Sequence, residues 1–148
     1  MTFFVDANVF LYAATPSEYQ APCTAVLQAV ARGDAPGRTS TAALEEVWHV
    51  EWRAQDETFG GLTARAHVLM APLLSVTDEI FARALALEAS ALGTNDRLHV
   101  TTCLEHEIET IVSTNSDFDG LAGIRRVDPL DAKAMEALSG SSEGGDEP

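Results

Sequence analysis

The spacing of apolar and polar positions changes several times along the chain, and each change marks an element. Phe3-Phe4-Val5 is a continuous apolar run closed by Asp6, which predicts a short buried strand. Residues 7–14 then read as a short helix stopped near Pro16. Pro22 suits the first residue of a helix that continues from Cys23 to Arg32. Val26, Leu27 and Val30 share one of its faces, and Gly33 is its stop. Residues 34–38, with Pro36 and Gly37, read as a loop. Ser40 or Thr41 caps the next helix, which runs to about Gln55 with an apolar stripe of Ala43, Leu44, Val47, Trp48 and Val50. Gly60-Gly61 breaks the chain before a helix from Leu62 to Leu74, disturbed at Pro72. Thr77 is a good N-cap, and Asp78 and Glu79 favour the dipole of a helix reaching about Leu92. Thr94 or Asn95 caps another helix, to about His106. Ile108 to Ser113 is the strongest strand signal, Ile124 to Val127 is a further short strand, and Asp131 to Leu138 is a last helix.

Strands alternating with helices predict parallel pairing and an α/β sandwich. Residues 1–138 form one domain, and the acidic Gly/Ser-rich tail 139–148, which has no apolar residue to bury, is expected to be disordered. In open parallel sheets, ligands sit at the carboxyl ends of the strands. Polar residues just after strands are therefore the ones to weigh.

Composition narrows the function. The chain has 148 residues, 46% of them hydrophobic, which suits a single folded domain with a real core. Nine Lys and Arg face 23 Asp and Glu, for a net charge of −14. Three of the acids lie in the tail. Such a balance excludes gripping nucleic acid through a basic surface, and equally a polybasic membrane anchor. Cys23 and Cys103 give no disulfide framework, which fits a reducing cytoplasm. No stretch of 18 apolar residues exists to span a membrane, and the start of the chain, interrupted by Asp6 and lacking a basic region, is a poor signal peptide. A cytoplasmic protein is expected.

An acidic chain can still do phosphate chemistry if its carboxylates hold metal ions. Asp6 ends the first strand, Asp117 follows the 108–113 strand, and Asp96 sits in the first turn of its helix. Glu45 and Glu46 lie near the start of the helix after Ser40, and the helical wheel does not choose between them. Alone, each acid also fits a turn, a cap or a solvated helix face. Two carboxylates about 4 Å apart repel by about 4 kcal/mol at an effective dielectric of about 20, which favours protonation or a bound cation. Oxygen-only clusters suit Mg²⁺ or Mn²⁺, which activate water and neutralise the charge developing on a phosphodiester.

Taken together, the segments resemble the PIN domain, and specifically the VapC toxins of bacterial toxin–antitoxin pairs. The matching pieces are Val5-Asp6-Ala7-Asn8-Val9-Phe10-Leu11-Tyr12-Ala13, then Ser40-Thr41-Ala42-Ala43-Leu44-Glu45-Glu46-Val47, then Asn95-Asp96-Arg97-Leu98-His99-Val100. Ile111 to Asp119 and Gly123 to Leu130 complete the likeness, which spans about residues 3 to 130. The resemblance implies a small central parallel sheet flanked by helices on both faces, Mg²⁺- or Mn²⁺-dependent cleavage of RNA using one or two ions, a small antitoxin partner and a homodimer. It maps the family's first acid to Asp6 and its helix-start acid to Asp96, and it selects Glu46 over Glu45. Asn8 and Ser40 match polar residues around the site. Where the family often has Thr-x-Asp, this chain has Ser113 and Asn115, with Asp117 two residues on to supply the charge.

The expected catalytic set is thus Asp6, Glu46, Asp96 and Asp117, with Asp6, Asp96 and Asp117 as metal ligands and Asn115 orienting a phosphate or a water. Arg97, Arg125 and Arg126 are the candidates for RNA contact. His99, one turn after Asp96, and Cys103 are assigned to packing, and Trp48 and Trp52 to the core or a subunit interface. The competing reading is a PIN-like binding module that has lost catalysis, with Asn115 as its sign. A phosphatase with Asp6 as nucleophile fits poorly, because Asn8 stands where such enzymes carry a second aspartate.

Overall fold

The structure is a computed structural model that describes residues 1–89 and 91–144. Four short parallel strands, β1 (Phe3–Val5), β2 (Gly37–Arg38), β3 (Thr110–Val112) and β4 (Arg125–Val127), form one sheet in the order β2-β1-β3-β4. Seven helices are seen among the described residues: α1 (Ala7–Ala13), α2 (Gln20–Ala31), α3 (Thr41–Ala54), α4 (Leu62–Met70), α5 (Asp78–Ala86), α6 (Thr94–Glu105) and α7 (Ala132–Gly144).

The sheet alternates strictly. Phe3, Val5, Val112 and Val127 join a core with residues of α1, α2, α3 and α4, while Phe4 and Ile111 join a second core with Val100 and Cys103 of α6. Period-2 side chains on a strand point to opposite faces, so two separate cores mean helices on both faces. The α/β sandwich with a small parallel sheet is therefore the fold, as expected.

Several boundaries differ from the sequence reading, each for a local reason. The α2 helix begins at Gln20, so Pro22 falls inside its first turn, where the missing N–H has no intrahelical partner to lose. Part of the expected 34–38 loop is strand β2, pressed so close to its neighbours that a Cβ on Gly37 would lie 2.8 Å from Val30 Cγ2. The α4 helix stops at Met70, not Leu74, because Ala71 precedes Pro72 and takes an extended conformation. The α5 helix ends at Ala86 rather than Leu92, since the carbonyls of Leu87, Ala89 and Leu92 bond instead to the Arg97 guanidinium. In α6 the capping position is Gly93, so Thr94 is the first helical residue. The last helix extends from Ala132 to Gly144 instead of stopping at Leu138. A helix already nucleated on packed residues lengthens at little cost per residue. The remainder of the expected tail, 145–148, lies outside the described residues.

Three strand ends feed the same rim. Asp6 follows β1, Thr39 and Ser40 follow β2, and Ser113 follows β3. The Thr39 hydroxyl donates to the Val5 carbonyl at 2.7 Å, locking the first two together. Ser40 is buried, and its hydroxyl accepts the Ala43 N–H at 3.1 Å, capping the helix that carries Glu46. Ser40→Ala is expected to cost about 1 kcal/mol of stability in urea unfolding; an unchanged midpoint would show that the cap contributes nothing.

Candidate metal centre

Asp6 is almost fully buried, at 4% exposure, because it terminates a strand buried on both faces. Its Oδ1 accepts the Ala7 N–H at 2.8 Å, capping α1. Its Oδ2 accepts the Ser113 hydroxyl at 2.6 Å and the Asn8 amide at 3.2 Å. Asn8 also donates to Ser113 Oγ, which in turn accepts the Asn115 N–H at 3.0 Å. The first acid is thus fixed by neutral donors from two strand ends.

The α3 and α6 helices bring the other acids. Glu46 reaches over the rim beside His99, while Glu45 faces outward with Trp48, His49 and Trp52 along a shallow depression of about 240 Å³. Of the two, only Glu46 lies beside the buried His99. Asp96, in the first turn of α6, accepts the Asn115 side-chain amide at 3.1 Å. Asp117 is exposed in a single 3₁₀ turn, Ser116–Phe118, and its N–H donates to Asn115 Oδ1. The charges acting most strongly on Asp6 and Asp96 include His99 and Glu46, not Asp117.

His99 is the residue that sequence reasoning passed over. It is fully buried against Phe4, with Nε2 3.3 Å from Glu46 Oε1 and 3.7 Å from Asp6 Oδ1. Ligand atoms of Asp6, Glu46 and His99 all lie within 4.8 Å of one another. Its position one turn after Asp96 was the available signal. Its Nδ1 is buried without a hydrogen-bond partner. A ligating imidazole needs an acceptor for its second N–H, so His99 is better suited to donate Nε2–H to Glu46 than to bind an ion itself.

The arginines proposed for RNA are placed differently from one another. Arg97 donates to the three carbonyls of Leu87, Ala89 and Leu92, at 2.5 to 3.1 Å. Arg125 is exposed but begins β4, at the edge of the sheet opposite Asp6. Arg126 is largely buried and paired with Asp119 and Asp128. Trp48 and Trp52 are 62% and 66% exposed, so neither belongs to the core. Glu51, further along α3, accepts the N–H groups of Gly61 and Thr63 at the start of α4.

Burial raises the Asp6 carboxyl above its ordinary 3.8, although His99, Ser113 and the Ala7 amide pull it back. Burial and the nearby Asp6 charge raise Asp96 as well. For His99 burial acts to lower the imidazole, but the bond to Glu46 and the Asp6 charge prevail and raise it above 6.5. Desolvation and mutual repulsion disfavour the charged forms of Asp6 and Asp96, a strain that a cation would relieve, and oxygen donors suit a hard divalent ion. The residues present fit such an ion, with Asp6, Glu46 and Asp96 to hold it.

The PIN domain profile matches residues 3–124. No curated protein sequence matches the chain. Among solved structures, it is similar to VapBC2 from Rickettsia felis bound to a promoter DNA fragment, at 14% identity and TM-score 0.61, over 86% of this chain and 98% of that one. It is also similar to FitAB bound to the IR36 DNA fragment (15%, TM-score 0.64, 86% and 94% coverage). A third likeness is to the sarcin-ricin loop cleaving toxin VapC20 of Mycobacterium tuberculosis (14%, TM-score 0.60, 83% and 98%).

Raised values for Asp6, Asp96 and His99 mean that the folded state holds these protons more tightly than the unfolded chain. Their stabilising contribution is complete below the ordinary values and is lost as pH rises through the raised ones. A divalent ion held by the carboxylates would displace the protons of Asp6 and Asp96. The gain in melting temperature from saturating Mn²⁺ should therefore grow between about pH 5 and 8; a gain that is constant, or larger at the acid end, would contradict the cluster.

Proposed function

The chain belongs to the PIN domain family, and from that membership we propose that it is a divalent-metal-dependent endoribonuclease, the toxin of a VapBC-like pair. The observation that carries the reading is the cluster of Asp6, Glu46 and His99 at one rim of the sheet, with Asp96 near enough to feel the charges of all three. Asp6, Glu46 and Asp96 would hold Mg²⁺ or Mn²⁺, which when bound would supply Lewis acidity for water activation and for the charge on the phosphodiester.

The protein's own part is to hold these acids. The Ser113 hydroxyl and Asn8 amide orient Asp6, His99 orients Glu46, and the Asn115 amide orients Asp96. Because Asn115 brings a donor where the family often has an acid, and Asp117 is exposed and outside the group, three carboxylates suit one ion rather than two. The net charge of −14 leaves the apo protein to repel RNA, so substrate affinity depends on the ion.

An antitoxin would cover the rim with basic side chains, since unpaired acids there favour a cationic partner. Exposed Trp48 and Trp52 on α3, and Phe81 and Leu85 on α5, give apolar area suited to such a partner or to a second copy in a homodimer. No described helix is long and apolar enough to cross a membrane, and a cytoplasmic location suits an RNA substrate.

Cleavage of a structured RNA with Mg²⁺ or Mn²⁺ should be lost in EDTA and fall by about 100-fold or more in Asp6→Asn, Glu46→Gln and Asp96→Asn, the scale of a lost electrostatic contact. Asp117→Asn should stay within about threefold, because one exposed charge outside the group changes little. Equal cleavage by wild type and the three rim variants would overturn the assignment. No cleavage by the wild type, with partner binding intact, would favour the binding-module reading that Asn115 first suggested.

A further inference from the structure

We propose that Arg126 is a positioning residue for the acid site, acting through the segment between Ser113 and Asp119. The inference rests on the proposed ion site only for its consequence, not for the contact itself. Arg126 is the middle residue of β4, and its side chain is 13% exposed. All three guanidinium nitrogens are engaged. Nε and Nη2 grip the two oxygens of Asp119 at 2.8 and 3.2 Å, and Nη1 donates to the Ser113 carbonyl at 2.9 Å and to Asp128 at 3.1 Å.

The two points it holds are the two ends of one short stretch. At the first end, the Ser113 hydroxyl bonds Asp6. Between them, Asn115 bonds Asp96. One rigid fork therefore sets where two neutral donors meet two acids of the site. The guanidinium itself contacts neither acid. Its charge is matched by Asp119 and Asp128, so it leaves the rim's negative potential for the ion. A lysine cannot reproduce this, because an ammonium lacks the planar fork that takes both oxygens of Asp119 while reaching the carbonyl.

Phe118, fully buried within the same stretch, anchors its interior, and Arg126 supplies the polar contacts at its two ends. This assignment explains why a largely buried arginine stands in a strand so close to an acidic site. It also takes Arg126 out of the group available for RNA.

The test has two arms on the full chain. Asp119→Ala removes the bidentate partner from an exposed position and should fold. Arg126→Lys keeps the charge and loses the fork. In the metal-free proteins, amide exchange at Asn115 and Asp117 should speed by about tenfold or more in both variants, with α2 amides unchanged. Mn²⁺ titration should show affinity weakened by about tenfold, the scale of lost ligand orientation, and the double variant should be no weaker than Arg126→Lys alone. Unchanged exchange at both amides would overturn the clamp. Faster exchange with unchanged Mn²⁺ affinity would overturn its role in positioning. If the wild type binds no Mn²⁺, the ion reading fails, and the exchange arm still decides the clamp.

Discussion

A carboxylate buried at the end of the first strand is the constraint around which the rest is arranged. Asp6 sits where the two-faced sheet leaves no water, yet its main-chain N–H continues the ladder by bonding the Val112 carbonyl. A charge so placed must be met by donors, protons or a cation. Ser113, Asn8 and the Ala7 amide supply donors, and His99 supplies a proton-bearing ring. Glu46, which shares the His99 ring, and Asp96 bring further carboxyls to the same rim, an arrangement suited to a divalent ion.

Parallel strands make this economical in chain length. Each strand of a parallel sheet delivers its carboxyl end to the same edge, and α1, α3 and α6 begin at that rim with their positive dipole ends. Thr39, Ser40, Asp6 and Ser113 therefore gather without long loops. Of the four strands, β4 contributes differently. Its arginine reaches the carbonyl of Ser113 from alongside, so the neighbouring strand stiffens the rim without adding an acid to it.

Much of this was legible from residue order. Phe3-Phe4-Val5 ending in Asp6 announced both a strand and its terminal acid, and the Ser40 cap announced the helix that carries Glu46. The choice between Glu45 and Glu46 was not readable from the wheel, because both flank the apolar stripe; the resemblance to the family selects Glu46, and it is Glu46 that lies beside His99 of α6. His99 was missed because a histidine among apolar neighbours reads as core, and it is core as well as site. Helix α6 is buried at five consecutive residues, His99 to Cys103, so its periodicity hides which face matters. For Trp48 the sequence left core and subunit interface open, and its 62% exposure removes the core alternative. Arg126 could not be distinguished from a substrate-binding arginine, since its partner Asp119 lies seven residues away across a turn.

The central claim is that three carboxylates hold one ion. Crystals grown with Mn²⁺ and measured at the manganese absorption edge test it directly. The account predicts one anomalous peak bounded by Asp6, Glu46 and Asp96, with the His99 ring behind Glu46. No peak at that rim would contradict it, as would two peaks with Asp117 as a ligand of the second.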